Sequence, residues 1–434
     1  MLADPMLMNR DTLHLIALVL SAGKPLTIGR SPLGSYTIPL PSVSKLHCRL
    51  YSFVVDTGDT VVVLEDLSSN GLVCNNRRVL RSSVILRDCD VFEIGDQCFH
   101  FTRTAQPHNR PDGTDGGRDE RTLANYSISN SRLGSGGFSV VRLGFDFVNG
   151  RQTACKAIKL DAQDQSRGFR QIKTEIEMLK RVGEHPGINQ IYDAFVIGKE
   201  AFIFLQLMAG GDLFEYLARR GPLQASEAKW FVFQIGLALA HLHLKCNIAH
   251  RDLKLENVLL DGYGVYPRAQ VADFGQAMIT NRRSSSLRGT MLYMAPEALS
   301  GRTRQLGFDL KPVDCWSLGI MASMLLVGSH PFNRWPSKHP TQVFSKSVYG
   351  ESARPDLMDR FKETRVAEAV LEGQNAMLSY EIFAGPREED ARELILNLLA
   401  AEPTVRWTIE AALESRWIAA SRRQLTELYA AKTR

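Results

Sequence analysis

The sequence lacks the marks of a secreted, metal-stapled or membrane-spanning chain. Its seven cysteines are odd in number and include no Cys-x-x-Cys pair, which argues against a disulfide framework or a structural zinc. Long hydrophobic runs are missing as well. The one early apolar stretch, Leu13 to Leu20, is too short to span a bilayer, and it has neither the basic flank nor the small-residue cleavage site of a signal peptide. No charge of one sign dominates: 52 Lys plus Arg against 47 Asp plus Glu leave a net +5 without any long basic run, too dispersed to point to nucleic acid. What is present is ordinary, 44% hydrophobic and 23% charged over 434 residues. At about 150 residues per domain, two or three folded domains are expected. The composition fits a soluble, multidomain, intracellular protein.

Local patterning divides the chain. Residues 13–102 carry short β-rich runs, at 14–20, 50–55, 60–64 and 97–101, punctuated by Gly, Pro, Asn, Asp and Ser; that is the pattern of a small all-β sandwich. Residues 103–121 hold no aliphatic run and are rich in Gly, Pro, Asp and Arg, so they read as a flexible linker. From Tyr126 strands return until about residue 210, followed by long helical periodicities.

Four fragments of the β half sit between or at the ends of expected strands: Gly29-Arg30, Ser44-Lys45-Leu46-His47, Ser68-Ser69-Asn70-Gly71 and Asn75. Arg, Lys, Ser and Asn are the donors a phosphate accepts from, although any one fragment alone is also an ordinary solvated turn. In this order they resemble the forkhead-associated (FHA) domain, a phosphothreonine-binding sandwich. The resemblance implies that Arg30, Ser44 and Lys45 contact phosphate, that Asn70 holds the ligand backbone, and that His47 braces the Ser44 loop. One departure is Leu72, where the family usually has Thr; it puts local loop bracing in doubt.

The second half carries a longer ordered set. A glycine loop, Leu133-Gly134-Ser135-Gly136-Gly137-Phe138-Ser139-Val140-Val141, precedes Thr153-Ala154-Cys155-Lys156; glycines there let backbone N–H groups approach a phosphate. Ile172, Ile176 and Leu179 fall at helical spacing and place Glu175 on the inward side with Glu177 outward. An inward Glu needs a cation, and Lys156 is the candidate. Next come His250-Arg251-Asp252-Leu253-Lys254-Leu255-Glu256-Asn257, Asp273-Phe274-Gly275, Gly289-Thr290 and Ala295-Pro296-Glu297, then Asp314, Trp316, Gly319 and Arg406. Each fragment alone is weak. Together, from Tyr126 to about Ile418, they resemble a eukaryotic protein kinase, a bilobal α+β fold.

That resemblance implies ATP and Mg²⁺ as cofactors. Gly134, Gly136, Lys156, Val141, Ala154, Gln206, Met208 and Leu259 would surround the nucleotide. Asn257 and Asp273 would hold Mg²⁺, whose hardness suits oxygen ligands. Asp252 would accept the substrate hydroxyl proton and Lys254 would neutralise the moving phosphoryl group. Lys254 and Thr290 mark the serine/threonine branch. Asp212 and Glu256 match the positions that bind an Arg three residues before the phosphoacceptor. Ser285 and Ser286, each three residues after an Arg, are candidate activation-loop phosphosites made in trans in a transient homodimer.

An FHA domain ahead of such a kinase resembles the checkpoint-effector kinases and their meiosis-specific relatives, a calmodulin-dependent-kinase-like group. The only Ser-Gln or Thr-Gln dipeptide is Thr341-Gln342, which favours the short meiotic branch. The expected partners are a phosphothreonine protein and Ser/Thr protein substrates, with no direct nucleic acid and no membrane; the expected location is nuclear, with the cytoplasm also open. The expected layout is an FHA domain at 13–102, linker at 103–121, kinase at 126–418 and tail at 419–434. The rival reading is a catalytically weak FHA-kinase scaffold acting as a phosphopeptide adapter. It would predict loss of Lys156, Asp252 or Asp273, and all three are present.

Overall fold

The computed structural model describes residues 6–9, 17–21, 23–55, 58–103, 121–136, 139–160, 165–280, 283, 289–299, 305–331 and 389–433. The expected phosphosites Ser285 and Ser286, most of the linker and residues 333–373 lie outside them. The chain forms two compact units: Met1–Gly168 with Ile191–Gly210 and Asp261–Tyr263, and Phe169–Gln190 with Gly211–Leu260 and Gly264–Arg434.

The first unit begins as a β-sandwich. One sheet has the order β2-β1-β11-β10-β7-β8, from β1 (Met6–Asn9), β2 (Leu18–Val19), β7 (Leu72–Cys74), β8 (Arg77–Val79), β10 (Val91–Ile94) and β11 (Gln97–Thr102). The other has the order β4-β3-β5-β6-β9, from β3 (Leu26–Gly29), β4 (Tyr36–Thr37), β5 (Cys48–Val54), β6 (Thr60–Asp66) and β9 (Ser83–Leu86). Strand alternation sends Cys48 and Leu50 of β5, Val62 and Leu64 of β6 and Leu86 of β9 between the sheets. They meet Phe92 and Phe99 there, whose rings stack at 4.9 Å. Asn75 and Asn76 close the β7–β8 hairpin with φ of 49° and 62°, a two-residue turn that Asn tolerates.

A third sheet in the same unit has the order β12-β13-β14-β15-β17-β16, from β12 (Arg121–Leu123), β13 (Tyr126–Gly136), β14 (Ser139–Asp146), β15 (Arg151–Lys159), β16 (Ile191–Ile197) and β17 (Glu200–Gln206). Tyr126, Cys155, Phe202 and Phe204 form the core on one face.

Helices dominate the second unit: α1 (Gln165–Val182), α2 (Leu213–Arg220), α3 (Ala225–Ala240), α4 (Pro296–Leu299), α5 (Lys311–Val327), α6 (Glu389–Leu398), α7 (Ile409–Leu413), α8 (Arg416–Ala419) and α9 (Arg422–Thr433). Helix α5 is apolar nearly all round because it is buried nearly all round. Its Gly319 faces Leu398 and Leu399 so closely that a Cβ would lie 2.9 Å from each, so only glycine lets α5 and the end of α6 approach. Gly328 ends α5 with φ 75°. No described helix is long and apolar enough to cross a membrane.

The ordered elements reach beyond the expected boundaries. Strand β1 precedes residue 13 because it pairs with β11 in the register Met6↔Thr102. Arg121, read as linker, starts β12: its guanidinium lies over the Phe202 ring at 4.5 Å and pairs with Glu200 at 2.6 Å. The tail holds α9, where Leu425 is buried and Tyr429 lies edge-on to Trp230 and Phe233.

Candidate functional site

Three loops of the sandwich are tied together by hydrogen bonds. Arg30 N–H donates to Ser44 O at 2.8 Å, and Ser31 N–H to Lys45 O at 3.0 Å. The approach is close enough that a Cβ on Gly29 would overlap Lys45 O. Ser69 N–H donates to Ser44 Oγ at 3.2 Å, and Asn70 Nδ2 to Ser42 O at 3.0 Å. Buried His47 accepts from Ser44 N–H on Nδ1 and donates from Nε2 to Gly71 O at 3.1 Å, so it braces two of the loops at once. Arg30 donates from Nε to Val43 O at 3.2 Å, and its side chain is exposed. Ser44, already accepting, retains its hydroxyl proton to donate. Leu72 is packed in the sandwich core. The loop is braced instead by Ser68, whose Oγ accepts from Gly71 N–H at 2.7 Å and donates to Asp66 at 2.8 Å. Arg78 also donates to Asn70 O at 2.9 Å. Arg78 belongs to none of the fragments that the sequence singled out, so its part in holding this loop comes from the structure alone.

Elsewhere in the first unit, β13 and β14 pair as Gly134↔Val141 and Gly136↔Ser139, so the glycines form the tip of a hairpin. Val141 is opposite Lys156, and Ala154 lies between Leu143 on β14 and Leu205 on β17. Gln206 ends β17, and Met208 follows two residues on.

The second unit holds the acid–base chemistry. Asp252 is saturated with donors: Oδ1 accepts from both N–H and Oγ1 of Thr290 at 2.8 Å, while Oδ2 accepts from Asn257 Nδ2 at 3.2 Å and lies 3.4 Å from Lys254 Nζ. Lys254 also donates to Thr290 Oγ1 at 2.8 Å. Asn257 Nδ2 makes a second bond, to Asp252 O at 2.7 Å, which fixes the amide and turns its oxygen the other way. The chain doubles back so that Ala272 N–H donates to Asn257 O at 2.8 Å, bringing Asp273 alongside. Asp273 sits at φ 62°, and a Cβ on Gly275 would lie 3.3 Å from its Oδ1 and 3.5 Å from Glu175 Oε2. Glu175 is therefore beside the Asp-Phe-Gly turn and buried, whereas Glu177 faces solvent beside Lys173. Among the described residues no three His, Cys, Asp or Glu side chains make a metal cage. One amide and one carboxylate oxygen fit Mg²⁺, which binds through few protein ligands together with substrate phosphates.

Asp314 at the start of α5 anchors this loop. Its Oδ2 accepts from His243 Nε2 and from His250 N–H, and its Oδ1 from Arg251 N–H, all at 2.8 Å. Burial alone would raise the Asp314 pKa; the His243 hydrogen bond, the attraction of His243 and His250 and the Arg251 N–H outweigh it and hold the group below the usual carboxylate range. Such a group adds stability above its unfolded pKa, about 3.9, and loses it as pH falls through the native value. Urea midpoints should therefore drop below about pH 4, and Asp314→Asn should lower the plateau and flatten that limb. An unchanged limb would count against the assignment.

Asp212 is the N-cap of α2, accepting from Glu215 N–H at 2.8 Å, and bridges to Leu259. Helix α2 packs on the turn Leu255–Asn257, which carries Glu256; Glu256 Oε2 accepts from Tyr293 Oη at 3.5 Å. Each acid thus has a structural partner, and the helix that Asp212 caps packs on the turn that carries Glu256.

The chain matches the protein kinase domain family over residues 127–418 and the FHA domain family over 26–95. The meiosis-specific serine/threonine-protein kinase mek1 of Schizosaccharomyces pombe is 31% identical over 415 residues, 93% of this chain and 83% of that one. Serine/threonine-protein kinase cds1 of the same yeast is 32% identical over 327 residues, covering 71% and 69%. The probable serine/threonine-protein kinase fhkC of Dictyostelium discoideum is 28% identical over 412 residues, covering 93% and 63%. The chain belongs to the FHA-domain serine/threonine protein kinases.

Proposed function

We propose that this kinase transfers the γ-phosphoryl group of ATP to Ser or Thr beside an Arg at −3, and that its FHA domain recruits it to a phosphothreonine partner. The observation that carries the catalytic part is the Asp252 carboxylate held by Thr290, Asn257 and Lys254 next to Asp273. Asp252 orients the substrate hydroxyl and accepts its proton; Thr290 and Asn257 give way to that hydroxyl on the same oxygens. Lys254 faces the charge that develops on the phosphoryl oxygens. Gly134, Gly136 and Lys156 hold the nucleotide's phosphates, with Glu175 as the partner of Lys156; Val141, Ala154 and Leu259 enclose adenine, and backbone groups of Gln206 and Met208 read its edge. Asn257 and Asp273 would hold Mg²⁺, which would supply neutralisation of the phosphate charge.

Asp212 and Glu256 supply the negative charge for a −3 Arg. With that preference, Arg282 and Arg283 mark Ser285 and Ser286 as substrates of a second copy, and Arg251 is the cation for the new phosphate. Arg30, Ser44, Lys45 and Asn70 read phosphothreonine, and tethering two copies on one partner raises their effective concentration toward the mM range. The names of the two yeast relatives support a nuclear checkpoint role on the meiotic side.

One experiment tests these parts together. Wild type, Lys156→Met, Arg30→Ala and Asp212→Ala/Glu256→Ala are incubated with Mg-ATP, a peptide library and a multiply phosphorylated threonine partner. Arg30→Ala should lose ~1.5–3 kcal/mol of phosphopeptide affinity, the worth of a charge-assisted bond, and with it rapid phosphorylation at Ser285 or Ser286. The double variant should lose −3 Arg enrichment. Phosphate on those serines in Lys156→Met alone would point to a separate upstream kinase, and wild type binding both peptide forms equally would end the recruitment reading.

A further inference from the structure

A sandwich sheet needs one apolar face, the one turned to its partner sheet. The sheet containing β5, β6 and β9 has two. With Cys48, Leu50, Val62, Leu64 and Leu86 turned inward, alternation turns Tyr51, Phe53, Val61, Val63 and Ile85 outward, where water would favour polar residues. Yet Tyr51, Val61, Val63 and Ile85 are between 0% and 4% exposed. What covers them is the kinase half of the same chain: they form one apolar cluster with Leu133, Leu143, Leu207, Ala209 and Tyr263.

The polar groups of this face are matched too. Tyr51 Oη donates to Ala209 O at 3.4 Å, and its ring packs on Tyr263 with centroids 5.0 Å apart. Ser83 Oγ donates to Asp261 O at 3.0 Å. Strand β9 is the sheet's edge, whose unpaired backbone is a hazard when left open. The Gln152 amide closes it as a neighbouring strand would, accepting from Ile85 N–H and donating to Ile85 O, both at 2.8 Å. Arg77 lies over the Phe145 ring at 4.0 Å. Arg30, Lys45 and Asn70 remain exposed in this arrangement, so docking and phosphate reading are compatible.

We propose that this second apolar face is an intramolecular docking surface whose occupant is the chain's own kinase half, and that by holding segment 207–209 the FHA domain supports nucleotide binding as well as recruitment. The contact to Ala209 falls one residue after Met208. The nucleotide clause therefore rests on the reading of Gln206 and Met208 as adenine contacts; the docking clause does not.

The test uses the full chain with a protease site placed within residues 104–120. After cleavage the two halves of the wild type should elute together at the mass of one intact chain. Ile85→Asp, which puts a charge into the apolar contact, should let them separate, and Gln152→Ala, a milder change on the kinase side, should weaken the association. Intact Ile85→Asp should raise the KM for ATP about two- to tenfold, the range of one lost hydrogen bond, with kcat held. Separation of the wild-type halves would overturn the docking, as would association only in a species of twice the mass, the sign of a second copy. Halves that separate in Ile85→Asp with the KM unmoved would overturn the nucleotide clause. Met208→Pro keeps the two readings apart. It removes the N–H offered to adenine and must raise the KM with the FHA domain still docked; if it does not, the adenine reading fails and the co-elution result stands.

Discussion

Asp252→Ala is expected to lower kcat for a Ser/Thr peptide by about 10²–10⁴-fold, the usual worth of a positioned general base, while leaving the KM for ATP near its wild-type value. Both oxygens of this carboxylate are already engaged, by Thr290 on one side and by Asn257 and Lys254 on the other. A substrate hydroxyl must therefore take over one of these places. The displaced donor is neutral in two of three cases, so the exchange costs little. Asp252→Asn keeps the shape and removes the charge, and should lose nearly as much as alanine. Thr290→Val removes one hydroxyl but keeps the backbone N–H, so its loss should be about tenfold or less. Transfer of labelled phosphate from ATP at saturating peptide gives the ranking. An Asp252→Ala enzyme within tenfold of wild type would remove Asp252 from the chemistry and favour the scaffold reading.

How much of this was legible in the sequence depended on distance along the chain. Asp252, Lys254, Asn257 and Asp273 could be picked out because two short segments resemble the motifs of the protein kinase family. Glu175 was legible against Glu177 because a helical stripe decides which side of α1 is buried, and the burial follows that stripe. Thr290 was noted only as a branch marker. Nothing local could show that it would fill one oxygen of a carboxylate 38 residues away. Arg121 looked like linker because its neighbours are Gly, Asp and Arg; its order comes from Phe202 and Glu200, residues of another strand. The run Val61-Val62-Val63-Leu64 was visible as a strand. A strand apolar at consecutive positions is one buried on both faces, but the sequence could not say what lies on the second face.

Breaking the Glu297–Arg406 pair by Glu297→Ala or Arg406→Ala is expected to cost about 3–5 kcal/mol of stability, because either change strands a charge with no access to water. The guanidinium is fully committed. Nη1 and Nη2 meet the two Glu297 oxygens at 2.6 and 2.9 Å, and the remaining donors go to Pro312 O, Ala401 O and, from Nε, Ala400 O. The guanidinium carbon also lies 5.1 Å from the centre of the Trp316 ring. Both side chains are almost entirely out of solvent, so the pair ties α4 and the start of α5 to the segment just before α7. The same reasoning sets the double variant apart. Glu297→Leu with Arg406→Met removes both charges and much of the volume mismatch, and should be less damaging than either alanine variant alone. Urea midpoints of the three proteins measure the coupling. Losses that simply add would mean the pair is solvated, and alanine variants within ~0.5 kcal/mol of wild type would place it among surface ion pairs.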